Sequence, residues 1–191
     1  MDRRDLLQWL VATGGLAALR RLSPRDLGPL GEATHQRLRT TAPVATLLSP
    51  DERRIVAAAA EQIIPRTDTP GATDAHVAEF VDVMLAEWYP AADAQRFRDG
   101  VAALDATSRS RFGVPFDTAA EAQQVQLVQA LDEEVTAIRQ QDRSRAAAHW
   151  FGMLKFLTVW GFCTSEAGMR EVLGTYPRAT HYDGAAPLRR G

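Results

Sequence analysis

The residues Phe156-Leu157-Thr158-Val159-Trp160-Gly161-Phe162-Cys163-Thr164-Ser165-Glu166-Ala167-Gly168-Met169-Arg170-Glu171-Val172-Leu173-Gly174 decide the fold class. They open as the end of a very apolar helix, expected over 146–162, with Trp150, Phe151, Met153, Leu154, Phe156, Leu157, Val159 and Trp160 spread around it. A helix apolar on every face is either buried or faces a partner. The Thr164-Ser165 pair breaks it, because a short hydroxyl side chain accepts from a free backbone N–H and starts a new turn. A second short helix follows. Gly174 is placed to end it, since glycine takes the left-handed conformation without a Cβ clash. Beyond lies a non-periodic tail, 175–191, with Tyr176 and Tyr182.

Upstream, the periodicity is helical throughout. Ser49-Pro50-Asp51-Glu52 carries a capping box with proline in the first turn. Ile55, Val56, Ala59, Ile63 and Ile64 then form one stripe, ended by Pro65. Val77, Phe80, Val81, Met84, Leu85 and Trp88 fall at i, i+3, i+4, i+7, i+8 and i+11, the clearest amphipathic pattern in the chain. Burying such a stripe contributes on the order of 10 kcal/mol gross. A helix over about 91–107 turns Phe97, Val101 and Leu104 inward. Another, capped by Asp117 or Thr118 and running to about 140, spaces Val125, Val128, Leu131, Val135 and Ile138 by three and four. No strand alternation is present. The expected fold is all-α: a compact bundle of about five helices with an N-terminal signal helix and an extended C-terminal tail. Residues 49–191 form the helical domain, 24–48 with Pro24, Gly28, Pro29, Gly31 and Pro43 a linker, and 1–23 an export segment.

The 191 residues suffice for one domain with a real core. A formal net charge of −2 gives no basic field for nucleic acid. The single cysteine, Cys163, rules out an internal disulfide framework and a Cys-based metal cage. It is either a small buried hydrophobe or the partner of another chain's cysteine. Glu32 and His35 form one Glu-x-x-His pair, where a di-metal carboxylate bundle needs two and two further glutamates. Asp68 and Asp74 lie in the loop after Pro65 and read more simply as turn caps than as an acid/base pair. His76 reads as a boundary residue, and His149 as a core or boundary one. Gly-x-Gly-x-x-Gly, Cys-x-x-Cys-His and Gly-x-Ser-x-Gly are all absent from the sequence.

Arg3 and Arg4 precede a moderate, glycine-containing apolar run that ends at Leu19. The run is shorter than the ~20 residues of a membrane span. Paired arginines before such a run resemble a twin-arginine export signal, although Asp2 and Gln8 depart from its usual residues and no small-x-small cleavage pattern follows. An ordinary amphipathic N-terminal helix is the alternative.

The run Trp160–Gly174 with Tyr182-Asp183-Gly184, and the block Ile63-Ile64-Pro65-Arg66-Thr67-Asp68-Thr69-Pro70-Gly71-Ala72 continuing to Val77, Phe80 and Asp82, resemble the gluconate 2-dehydrogenase subunit 3 family. The resemblance implies a small non-catalytic partner of a flavin-dependent sugar or polyol dehydrogenase of the glucose-methanol-choline type. It implies no cofactor in this chain and FAD in the catalytic partner. A cytochrome c subunit and the export machinery are further candidate partners. The implied location is the periplasm, with attachment to the inner membrane through the complex. The expected partner interface is Trp160, Cys163, Thr164, Ser165, Glu166 and Met169 with Tyr176 and Tyr182 of the tail, next to an aromatic helix that a small body is expected to leave partly uncovered. The competing expectations are a free-standing helical periplasmic protein and a small independent enzyme.

Overall fold

A computed structural model describes residues 24–40, 44 and 46–174. The export-signal arginines Arg3 and Arg4 and the tail tyrosines Tyr176 and Tyr182 lie outside the described residues. Within them every regular element is helical: α1 (Pro24–Leu38), α2 (Pro50–Ile63), α3 (Val77–Trp88), α4 (Ala91–Phe112), a 3₁₀ turn (Phe116–Thr118), α5 (Glu121–Gln141), α6 (Arg143–Ala148), α7 (Trp150–Thr164) and a π-helical turn (Gly168–Val172). The all-α expectation holds.

α7 is the central helix. α1, α2, α3, α4 and α5 all pack against it, and Trp150, Phe151, Phe156 and Trp160 are 8%, 0%, 1% and 1% exposed. The expected uncovered aromatic face is therefore covered by the chain itself. Phe80, Met84 and Leu85 of α3, Phe97 of α4 and Phe116 complete the same core. Trp88, expected inward, is instead 39% exposed, because it closes α3 where the helix leaves the core.

Two boundaries differ from expectation for local reasons. The helix expected over 146–162 is broken at His149, whose backbone is extended (φ −71°, ψ 132°) and whose Nδ1 accepts from Phe151 N–H at 3.2 Å. The side chain thus ends α6 and caps α7. The α5 start is not capped by Asp117 or Thr118, which lie in the 3₁₀ turn. α5 begins at Glu121 instead, with Gln123 Oε1 accepting from Ala120 N–H at 3.1 Å. Its buried face is set by Gln124, Leu127 and Val128. Gln124 Nε2 donates to Phe116 O at 2.9 Å, so a polar residue stands where only apolar spacing was counted.

The linker expectation for 24–48 is corrected by α1. Pro24 starts the helix, where a missing N–H is harmless, and Pro29 lies inside it. Leu27, Leu30, Thr34, His35 and Leu38 form its inward face. Gly31 is a packing glycine rather than a turn glycine, since a Cβ there would overlap the Thr164 side chain. The capping box at Ser49 forms as expected: Ser49 N–H donates to Glu52 Oε2 at 2.8 Å and Ser49 Oγ accepts from Glu52 N–H at 3.3 Å.

Candidate functional site

The break after α7 is built by two hydroxyls. Thr164 Oγ1 donates to Trp160 O at 2.8 Å, tying off the end of the helix. Ser165 Oγ donates to Phe162 O at 2.7 Å and accepts from Gly168 N–H at 2.9 Å, so Ser165 starts the following turn. That turn is π-helical, closed by Leu173 N–H to Gly168 O at 2.9 Å. Single π turns concentrate at functional sites. A Cβ at residue 168 would overlap Phe162 O, so glycine alone fits there. Gly174, at φ 58°, ends the turn in the left-handed region as expected.

The expected interface residues fall into two groups. Trp160, Thr164, Ser165 and Met169 are buried within the chain. Trp160 Nε1–H donates to Leu27 O at 2.8 Å, which makes the indole part of the α1–α7 contact and removes it from any partner. Cys163 and Glu166 are half-buried. Burial pushes the Cys163 thiol up to about 12, and it is a free cysteine. Glu166 forms ion pairs with both Arg39 and Arg170.

A groove of about 750 Å³ lies beside the break. Its walls come from the C-terminal end of α1, the start of α3 and the π turn. His35 is its buried wall, 6% exposed, with Nε2 2.7 Å from Gly161 O and the ring stacked on Phe80 at 5.0 Å. Burial holds this imidazole down at about 4, with Arg39 and His76 adding to the depression and the Gly161 carbonyl opposing it. His76 caps α3 with φ 52° and without a side-chain hydrogen bond. Sequence reasoning weighed His35 only as half of a metal pair. The signal that could have placed it was the α1 stripe Leu27, Leu30, Thr34, Leu38. Among the described residues no group of three His, Cys, Asp or Glu is placed to hold a metal ion.

The loop after α2 is held by carboxylates. Glu61 accepts from Arg66 N–H (2.7 Å), Thr73 N–H (2.9 Å) and Thr73 Oγ1 (2.7 Å), which holds its carboxyl below the usual range despite opposing burial. Asp74 accepts from Gly71 N–H at 2.9 Å and from the Arg66 guanidinium. Asp68 accepts from Thr67 Oγ1 at 3.0 Å. Asp82, 2% exposed, accepts from Leu47 N–H (2.7 Å) and Leu48 N–H (2.8 Å), anchoring the segment before α2. Glu61, Asp74 and Asp82 thus shape backbone, as the turn-cap reading anticipates for Asp74, while the Asp68 bond goes to a side-chain hydroxyl.

Comparison with curated proteins and with solved structures returned no match. The family described as gluconate 2-dehydrogenase subunit 3 matches residues 50–180, from the first turn of α2 past the π turn, and so spans the α7 break, the carboxylate-held loop and Asp82. With more than half of its 191 residues matched in one continuous span, this chain belongs to the gluconate 2-dehydrogenase subunit 3 family.

Proposed function

We propose that the chain is the non-catalytic small subunit of an FAD-dependent sugar or polyol dehydrogenase complex of the glucose-methanol-choline type. In this role it supports assembly and export of the catalytic subunit and resides in the periplasm, free or held to the inner membrane through the complex. The family match over residues 50–180 carries the proposal. It is supported by what the acidic side chains do: Asp74, Asp82 and Asp105 are each engaged with backbone N–H groups and an arginine, and Glu61 with the backbone N–H groups of Arg66 and Thr73 and the Thr73 hydroxyl. Arg3-Arg4 supply the export signal, FAD sits in the partner, and a cytochrome c subunit is a candidate third member. Tyr176 and Tyr182 anchor the tail to the partner through amphipathic rings.

Co-expression with the catalytic subunit tests this. A tag on this chain should recover an FAD-containing dehydrogenase active toward a dye acceptor, and deleting 175–191 should reduce the recovery while preserving helix content. Recovery of this chain alone would contradict the proposal. One observation favours a second reading, a free-standing helical protein: the aromatic side chains of α7 are covered by their own chain. Size-exclusion chromatography of extract separates the two, since a free-standing protein elutes at its own 21.0 kDa.

A further inference from the structure

The groove beside the π turn has unused hydrogen-bonding capacity of one kind. His35 Nε2 lies 2.7 Å from Gly161 O. A carbonyl oxygen only accepts, so Nε2 carries the hydrogen and Nδ1 is left with a bare lone pair. No described residue donates to Nδ1. The side chain is nonetheless nine-tenths buried and forms the groove wall.

Glu79 and Glu171 line the same groove, and neither has an ion pair among the described residues. The other charges there are engaged. Arg39 and Arg170 both meet Glu166, and Asp74 meets Arg66. Leu38, Ala75 and Ala167 supply apolar lining. His76, also on the wall, is the one non-glycine residue with positive φ among those described, and such outliers cluster at ligand clamps. The free groups are thus one neutral imidazole nitrogen and two carboxylates beside an apolar strip. An arginine or lysine side chain matches that set, with an aliphatic stem for the strip and a head made only of donors.

We propose that this groove receives an arginine- or lysine-bearing segment of the dehydrogenase's catalytic subunit, with the stem against Leu38 and Ala167 and the cationic head among His35 Nδ1, Glu79 and Glu171. The inference rests on the accessory-subunit role and adds the docking face and the chemistry of the segment that docks. The full chain, tagged and titrated with the co-expressed FAD-dependent catalytic subunit, tests it. The double variant Glu79→Gln, Glu171→Gln is expected to bind about tenfold or more weaker, with a flatter salt dependence. Glu133→Gln, on the exposed side of α5, is expected to bind as wild type. In ¹⁵N spectra the His35 Nδ1 signal is expected to move from a bare to a hydrogen-bonded position when the catalytic subunit is added, a change that a folding defect does not produce. Wild-type affinity in the double variant, with an unmoved Nδ1 signal, would overturn the docking face while leaving the accessory role intact. No complex with wild-type chain would overturn both. A double variant that loses only self-association of this chain would assign the groove to a second copy and overturn the proposed occupant.

Discussion

Asp82 of α3 and Arg53 of α2 form an ion pair at 2.8 Å in which the carboxylate side is 2% exposed and the arginine side 36%. The same carboxylate holds Leu47 and Leu48 N–H, so one buried acid ties α3, α2 and the segment before α2 together. Removing it strands the Leu47 and Leu48 N–H donors and the Arg53 guanidinium, whose Nη2 makes the ion pair and whose buried Nε has no partner of its own. Asp82→Ala is expected to destabilise the chain by about 3–5 kcal/mol in denaturant unfolding. Arg53→Gln should cost less, since the two backbone donors remain. Equal losses would mean that the backbone bonds contribute little.

His35 makes stability depend on acid. Its folded value of about 4 lies below the ordinary 6.5 because burial disfavours the charged ring. The unfolded chain therefore binds a proton that the folded chain refuses. The contribution is fully present above pH 6.5 and is lost as pH falls through that window toward 4, by roughly 3 kcal/mol at most. The facing charges are Arg39 and His76, both of which deepen the effect. Unfolding free energies between pH 7 and 4 should show this slope, and His35→Gln should flatten it. His149, also depressed by burial, contributes to the residual slope in the same direction, as do the lowered carboxyls of Glu61 and Glu52 toward pH 4. An unchanged slope in His35→Gln would show that His35 titrates normally.

Two helical glycines predict different costs. Gly100 of α4 faces Trp150 so closely that a Cβ would overlap the indole, and Gly100→Ala is expected to cost about 1–3 kcal/mol. Gly28 of α1 has nothing within 4 Å beyond its chain neighbours, but Pro29 follows it and opposes a helical Cβ there, so Gly28→Ala should change stability by less than about 0.5 kcal/mol. Thermal melts of the two variants check the pair. A stabilised Gly100→Ala would contradict the packing of α4 on α7.

Cys163 is half-buried with its thiol pushed up to about 12, so little thiolate exists near neutral pH. Alkylation by iodoacetamide at pH 8 is expected to be at least about tenfold slower than in urea. On a non-reducing gel of the complex, no dithiothreitol-sensitive shift to the size of a joined pair should appear. Either fast alkylation or such a shift would show that the thiol is reachable.

Helix content was legible because each apolar stripe lay in one period, and the Ser49 cap and the Gly174 stop were written in residues with one conformational use. α1 was hidden because Pro29 and Gly31 signal turns locally. Only the partner surface at Thr164 shows that Gly31 is there to let two helices touch. The His149 break was hidden because a histidine that caps through Nδ1 looks, in sequence, like any residue within an apolar run. The break at Thr164-Ser165 was visible, but which of its residues stay reachable was not. Trp160 and Cys163 belong to the same apolar helix end, and only the docking of α1 buries the first and leaves the second half-covered. Asp82 was visible as part of a motif, but its backbone partners lie more than thirty residues away.

The most direct measurement is dehydrogenase activity in periplasmic and cytoplasmic fractions of cells making the catalytic subunit with this chain, without it, or with the Arg3→Lys, Arg4→Lys double variant. The accessory-subunit account predicts periplasmic activity only with the wild-type chain, loss of total activity when the chain is absent, and cytoplasmic retention of both subunits with the double variant. Equal periplasmic activity in all three strains would contradict it.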